Sequence, residues 1–419
     1  MKRVLILATT TGYQIRSFGE AAGKLGVRLA FASDRCNRLE DPWWDQAIPI
    51  RFHDEAASLR AIIDAFGSTA PDGVIAVGDR PVALGARVSE AFGLAGNPTA
   101  AARATRNKLE SRRMLDAAGL PVPAFRTVVV DEDAAALSAG LRYPVVLKPV
   151  AMSGSRGVIR ADDAREFVRA FDRIRILLGQ RDVRAERDSA HERLLIESFI
   201  PGKEYAVEAV LTDERLQHFA IFDKPDPLDG PFFEETIYVA PTRAPEDVQS
   251  KIVSTVAAGA AAIGLRHGPI HAECRVNDRG VYLLEIAARP IGGLCSRALR
   301  FVSPTGEASL EEVLLRHALG EDVSGYARER AASGVMMIPI PRRGVYRGVE
   351  GEDDARRVPD VVDLKITAKP DTKLIPLPEG KSYLGFIFAH APTAAAVEQA
   401  LRAAHSKLRF QIDREIAVV

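Results

Sequence analysis

The sequence predicts a mixed protein, α/β in its first quarter and α+β beyond it, and three observations carry that reading. Strands and helices alternate over the first hundred residues. Successive strands with no helix between them run from 194 to 224, and short strands broken by proline and glycine fill 334–419. At 419 residues and 47% hydrophobic content, the chain has material for about three domains with sizeable cores. Its 56 basic and 56 acidic residues cancel, which argues against a strongly basic surface for nucleic acid or anionic lipid. Cys36, Cys274 and Cys295 are odd in number and widely spaced, so they suit a reducing compartment better than a disulfide framework or a zinc site. The opening MKRVLILATTTGYQ turns polar after about six apolar residues and reads as a buried strand. No stretch approaches about 18 apolar residues. A cytoplasmic location is the expectation.

Each element follows from local pattern. RVLILA (3–8), RLAFAS (28–33) and GVIAV (73–77) are strands, and 15–26, 59–66 and 82–92 are helices. Helices of that length between strands imply a parallel sheet with right-handed crossovers. The turn Thr9-Thr10-Thr11-Gly12 lacks GxGxxG and reads as a tight turn. Asn97-Pro98 closes this unit, and a helix over 105–118 ends at Gly119 and Pro121. Strands at 126–130 and 143–149 precede a helix over 163–178. The charged stretch 179–193 breaks the pattern and reads as a solvated connection. Antiparallel strands at 194–200, 204–212 and 216–224 follow, then a Pro/Gly cluster at 225–231 and FFEETIYVAP (232–241). An Ala-rich helix spans 246–263 and another 310–319. MMIPI, VVDLKIT, KLIPL and SYLGFIFA, with a helix over 393–405, make a small terminal module.

Three segments carry chemistry. In HAECRVNDRGVYLLEIAARP, Glu273 and Glu285 lie on apolar runs separated by Asp278-Arg279-Gly280. A three-residue hairpin loop with Gly280 in the left-handed region would oppose residue 273 to residue 285. Two opposed carboxylates repel and need compensation, from Arg289 and from a divalent cation. Paired carboxylates beside an arginine suit Mg²⁺ held between protein and phosphate oxygens. A solvated hairpin with both glutamates in water is the other reading. In YPVVLKPVAMSGSRGV, Lys148 ends a strand before Ser153-Gly154-Ser155-Arg156-Gly157, whose backbone N–H groups could approach phosphate oxygens. It is no P-loop, and a plain turn fits equally well. In LLIESFIPGKEYAVEAV, the backbone at Glu197-Ser198-Phe199-Ile200 could bond an adenine edge, and a carboxylate could hold ribose hydroxyls. An ordinary hairpin with surface glutamates is the reading this segment favours alone.

The order of the pieces adds what no single one supplies. NKLESRRMLDAAGLPVP, VVLKP with SGSRGV, LIESFIPGKEYAVE, GPIHAE and LLEIAARPIGG follow one another. Over about residues 97–320 this closely resembles the ATP-grasp superfamily of ADP-forming carboxylate–amine ligases. The resemblance implies an ATP-grasp fold in three parts. Residues 1–104 would be an N-terminal parallel-sheet pre-ATP-grasp domain. Residues 105–325 would be the ATP-grasp domain, with a glycine-loop lid over about 123–203, and 326–419 a small C-terminal α+β module. It further implies that Lys108 and Lys148 contact ATP phosphates and that Ser153, Gly154, Ser155, Arg156 and Gly157 close over them. Glu197 would meet the adenine amino group, Phe199 and Ile200 form the hinge, and Glu204 hold the ribose. Glu273 and Glu285 would be metal ligands, and Arg289 would steady the transferred phosphate and the substrate carboxylate.

One position departs from the family pattern E-x-N-x-R. The chain reads Glu285-Ile286-Ala287-Ala288-Arg289, so the asparagine ligand is absent. In this, in GPIHAE and in RPIGG with Gly292 and Gly293, it resembles the L-amino acid ligase branch, which makes dipeptides. There Glu235 matches a further metal-binding glutamate and Tyr238 lies near the substrate, although the branch's histidine in that segment is missing. His271 would orient the acid or relay a proton; a satisfied strand histidine fits as well. Cys295-Ser296-Arg297 would line the substrate pocket.

The resemblance therefore implies an ATP-dependent, ADP-forming ligase joining an acid, an amino acid in this reading, to an amine through an acyl phosphate. Its cofactors would be ATP and Mg²⁺, with Mn²⁺ as the other candidate ion. The expected partners are a small-molecule acid and amine, with no nucleic acid and no membrane, and a homodimer is left open. Two rivals stand beside it. One is a carboxylase or purine-pathway-type enzyme activating bicarbonate or formate, against which the absence of an AMKM-like biotin motif counts mildly. The other is a non-catalytic nucleotide-binding protein, against which the full set of lysines, glutamates and Arg289 counts.

Overall fold

The computed structural model describes residues 1–9, 14–34, 47–304 and 306–414; Cys36 and the Thr10-Thr11-Gly12 part of the first turn lie outside them. The N-terminal unit contains β1 (Arg3–Ala8), α1 (Ile15–Leu25), β2 (Arg28–Ser33), β3 (Ile48–Pro49), α2 (Glu55–Phe66), β4 (Gly73–Val77) and α3 (Val82–Phe92). Its four strands are parallel in the order β3-β2-β1-β4. Val4 to Leu7 of β1 are buried on both faces, as a parallel sheet covered by helices requires. α2 starts four residues before the expected position because the Asp54 side chain accepts the Ala57 N–H at 3.0 Å and caps it there.

The helix expected over 105–118 is two helices, α4 (Thr99–Arg106) and α5 (Lys108–Ala117). Asn107 divides them, its side-chain oxygen accepting the N–H groups of Leu109 and Glu110 at 3.1 Å each. An asparagine that caps one helix interrupts the helix before it. The break puts Lys108 on the first turn of α5.

Beyond it comes a four-stranded antiparallel sheet in the order β5-β8-β6-β7. Its elements are β5 (Phe125–Val129), α6 (Ala134–Ser138), β6 (Val145–Pro149), β7 (Ile159–Ala161), α7 (Ala164–Leu178), α8 (Arg181–Arg184) and β8 (Arg193–Ser198). The stretch 179–193 is mostly exposed, as expected of a solvated connection, but it is ordered. It forms α8 and a single 3₁₀ turn at Ser189–Glu192, and Val183 and His191 are buried. Charge density hid the one apolar side chain that anchors it.

The remaining strands build a larger sheet. In chain order come β9 (Lys203–Thr212), β10 (Arg215–Asp223), β11 (Ile237–Ala240), α9 (Glu246–Ile263), β12 (Gly268–Asn277), β13 (Gly280–Ala287), β14 (Arg300–Ser303), β15 (Gly306–Ser309), α10 (Leu310–Ala318) and β16 (Ala327–Arg328). They continue through β17 (Ala332–Ile338), β18 (Gly344–Glu350), α11 (Glu352–Arg356), β19 (Val361–Ile366), β20 (Lys373–Leu374), β21 (Gly385–Ala391), α12 (Ala394–His405) and β22 (Arg409–Asp413). Eight strands pair in the order β13-β12-β9-β10-β11-β17-β21-β19. β17, β21 and β19 therefore extend the same sheet that carries the glutamate hairpin, while β18, β20 and β22 form a small sheet apart. Of FFEETIYVAP only Ile237–Ala240 is strand; Phe232 instead bridges to Ile159 of β7.

The hairpin of β12 and β13 opposes Glu273 to Glu285, though by a different route from the one expected. The loop has two residues, Asp278 and Arg279, and Gly280, with φ +137°, already pairs with Asn277. A bulge opposite the Glu273–Cys274 step leaves Leu284 without a partner, and that extra residue restores the 273–285 register.

α10 meets the large sheet through His317, whose Nε2 lies 2.9 Å from Thr212 Oγ1 and whose ring stacks on His267 at 4.3 Å. Burial, with His267 adding to it, depresses the His317 pKa to about 4. The unfolded chain takes up this proton near pH 6.5, so the contribution is complete above that pH and is lost as pH falls towards 4. We expect wild type to lose about 2–3 kcal/mol more than His317→Gln between pH 7 and 4.5. Urea denaturation across that range measures it, and parallel curves would contradict the assignment.

Candidate functional site

The alternating pleat brings residues from three strands to one face. In register, Glu208 of β9 opposes His271 of β12, Ala206 opposes Glu273 and Glu204 opposes Arg275. On the other side of β12, His271 meets Ala287 and Glu273 meets Glu285. Without the bulge at Leu284, Glu285 would fall on the opposite face.

At the end of β10, Lys224 reaches into this face. Its ammonium lies 2.8 Å from Glu204, 2.7 Å from Glu235 and 2.9 Å from Glu273. Carboxylate oxygens of these three glutamates lie within 4.8 Å of one another, a set of hard donors that could hold a divalent cation. Burial works against the charged lysine, but the three carboxylates raise its pKa well above the ordinary value. Burial and the neighbouring Glu273 push Glu235 up to about 7. Burial opposes ionisation of Glu273 too, yet Lys224 and the hydrogen bonds around it hold that carboxyl well below the usual range. Tyr238 donates to Glu273 at 3.4 Å. Ala287, where the family's asparagine would stand, is buried, and Glu235 supplies a carboxylate from a different segment. Glu285 stands outside this group and pairs with Lys108 at 3.3 Å.

On the lid side, Lys148 lies 2.6 Å from one Glu197 oxygen and Arg112 2.7 Å from the other. Arg112 also donates to the carbonyls of Leu283 and of the bulged Leu284, at 2.6 and 3.0 Å. Burial lowers the pKa of Lys148, with Glu197 opposing that shift. With both Glu197 oxygens engaged, the hydrogen-bonding edge left there is backbone. The Phe199 carbonyl and Ile200 N–H have no intramolecular partner among the described residues, and both residues line the cleft. Arg160 and Arg275 guanidinium carbons lie 4.2 and 5.0 Å from the centre of the Phe199 ring. Glu204 gives its second oxygen to Arg275 at 2.9 Å, so it faces cations on two sides.

Glu197, Glu204, Glu235, Glu273, Glu285 and Lys148 line one cleft of about 320 Å³, together with Lys108, Ser153, Gly154, Ser155, Arg289, Gly292 and Gly293; Lys224 and Arg112 stand behind it. Gly154 and Ser155 have φ of +63° and +53°, which turns the loop backbone sharply. Arg156 and Gly157 do not line the cleft: Arg156 turns to Asp182 at 3.0 Å, and the Gly157 N–H reaches the Pro378 carbonyl at 2.8 Å. Arg289 donates through Nε to Asp79 of the N-terminal unit at 2.8 Å. Burial works against ionised Asp79, but that guanidinium holds it below the ordinary carboxylate range. His271 Nδ1 is in close contact with Glu208, whose other oxygen accepts the Ile291 N–H at 3.1 Å. Burial alone would depress His271; Glu208 overrides it and raises the pKa to about 9, so the ring is cationic at neutral pH. Of Cys295-Ser296-Arg297 only Cys295 lines the cleft. Ser296 bonds Glu311 at 2.6 Å and Arg297 pairs with Asp363 at 2.8 Å.

Among the residues of this site missed from sequence are Lys224, Glu208, Asp79 and Arg112. Lys224 had a readable signal. Like Lys148-Pro149, Lys224-Pro225 is a lysine at a strand end before a proline. The other three carry none, because only the register and the meeting of separate units bring them in.

Comparison with known proteins adds two family matches. An ATP-grasp domain covers residues 141–298, and the L-amino acid ligase C-terminal domain 2 covers residues 336–413. The uncharacterised protein y4rH of Sinorhizobium fredii is 25% identical over 98% of this chain and 84% of its own length. Alanine–anticapsin ligase of Bacillus subtilis is 26% identical over 57% of this chain, which spans 53% of that relative. The crystal structure of L-amino acid ligase from Bacillus licheniformis superposes with a TM-score of 0.79 at 24% identity, covering 99% of both chains.

The Arg112 contacts predict a measurable cost. Arg112→Met leaves one oxygen of a buried carboxylate and two strand carbonyls without their donor. We expect a loss of about 3 kcal/mol or more in urea denaturation; a loss below about 1 kcal/mol would show that this network does not hold the hairpin to the lid.

Proposed function

We propose that this protein is an ATP-dependent ligase of the ATP-grasp superfamily that joins a carboxylic acid, in our reading an amino acid, to an amine with release of ADP and phosphate. One observation carries the proposal. The cleft sets a cluster of hard carboxylate oxygens and Arg289 opposite Lys108, Lys148 and a turned glycine–serine loop. Phosphoryl transfer needs positioning and charge neutralisation more than covalent help from the protein, and these groups supply both.

The Phe199 carbonyl and Ile200 N–H are opposite ends of one trans peptide, so one of the two would meet an adenine edge. Glu197, spent on Arg112 and Lys148, would act by holding Lys148 towards the nucleotide. Lys108, Lys148 and the N–H groups of 153–155 would meet the phosphates. Glu235 and Glu273, with Glu204 beside them and Glu285 opposite, would hold Mg²⁺ or Mn²⁺, which when bound supplies positive charge to the terminal phosphates. Arg289, aimed by Asp79, would hold the acid's carboxylate and steady the phosphoryl group moving onto it. The acyl phosphate then loses phosphate as the amine nitrogen bonds to the acyl carbon and sheds a proton. His271, already cationic beside Glu208, suits orienting the acid and not accepting that proton.

The test is an ADP-release screen over amino acids, singly and in pairs, and with bicarbonate. ADP and phosphate with an amide product are the expected result. AMP and pyrophosphate would rule out the acyl phosphate route, and release driven by bicarbonate alone would move the protein to the carboxylase reading. Glu285→Gln should lower turnover about 10²–10³-fold, roughly 3–4 kcal/mol in the barrier, with most nucleotide binding retained. Full activity in that variant would remove Glu285 from the site.

A further inference from the structure

The C-terminal module touches the glycine-loop lid at a place no part of the proposed chemistry uses. The Pro378 carbonyl accepts the Gly157 N–H at 2.8 Å, and the Glu379 carbonyl accepts Arg156 Nε at 2.9 Å. The Glu379 carboxylate takes Arg173 of α7 in a two-point pair at 2.9 and 3.0 Å. Lys381 lies 3.7 Å from Asp182, which Arg156 also meets. These contacts join residues about two hundred positions or more apart.

The same short segment also faces the cleft. Lys381, Ser382 and Tyr383 line it along with Tyr238, Gly293 and Cys295, and the Tyr383 ring centre lies 6.2 Å from that of Phe386, which abuts Gly293. Gly380 joins the two halves in a turn too tight for any side chain: an added Cβ would stand 1.8 Å from the Ile375 carbonyl oxygen, and the Gly380 N–H is bonded to Pro376 at 2.9 Å. A stiff turn between two such ends moves as one piece.

We propose that Glu379 is a positioning residue, and that segment 378–383 latches the lid to the substrate end of the cleft, so that lid closure and occupancy there favour each other. This rests on the ligase reading for its purpose: a loosened lid admits water, which attacks the acyl phosphate and returns free acid and phosphate, consuming ATP without forming the amide. Partly exposed ion pairs are individually weak, as befits a lid that must reopen to release ADP.

The test compares wild type, Glu379→Gln and the charge-swapped double variant Arg173→Glu/Glu379→Arg. The ratio of ADP to amide product should rise about three- to tenfold in Glu379→Gln, as expected for loss of about one charge-assisted pair, and the swap should restore it. A merely structural residue would lower both products together and leave their ratio fixed; that result overturns the latch. Hydrogen–deuterium exchange of segment 153–157 with a non-hydrolysable ATP analogue gives a second reading independent of turnover. Protection should weaken in Glu379→Gln and return in the swap; equal protection in all three also overturns the latch. If wild type releases no ADP with any acid and amine, the ligase reading fails, while the exchange experiment still decides the latch.

Discussion

Three carboxylates crowded at one place repel one another unless a cation or a proton sits among them, and the architecture of the cleft turns on that constraint. Lys224 supplies the charge by reaching Glu204, Glu235 and Glu273 at once. In a partly dry site each lost partner leaves an uncompensated charge, which is why the cluster is ringed by Arg275, Tyr238 and His271. Such a site is poised for exchange. Acidic oxygens sharing one ammonium can share a divalent ion, and lysines resting on Glu285 and Glu197 can turn to phosphate oxygens.

Register does the next part of the work. One extra residue, Leu284, moves Glu285 and Ala287 onto the face of Glu273 and His271. Arg112 then bonds the carbonyl of the bulged residue and Glu197 on the lid sheet together. The irregularity in the hairpin and the ion pair between Arg112 and Glu197 are thus one device, held by a buried guanidinium whose planar fork suits several acceptors.

The C-terminal module belongs to this device mechanically. β17, β21 and β19 continue the sheet that carries the glutamates, and the segment before β21 reaches both the lid and the cleft. A module on a separate sheet could drift relative to the reacting atoms; one that shares ladder hydrogen bonds with them is held in place.

The sequence by itself determined a great deal: the parallel N-terminal sheet, the helices at Val82–Phe92 and Glu246–Ile263, and the hairpin that carries Glu273 and Glu285. These follow from local period, capping and motif order, which neighbouring residues encode. It misjudged what depends on a single side chain against its surroundings, such as the cap at Asn107, the anchoring of 179–193 by Val183 and the bulge at Leu284. Tertiary structure alone decided that Asp79 meets Arg289 across 210 positions and that Lys224, not Arg289, neutralises the acidic cluster. It also decided that Arg156 and Gly157 face the C-terminal module, away from the cleft. Charges find their partners through space, and the Coulomb term that selects them has no period along the chain.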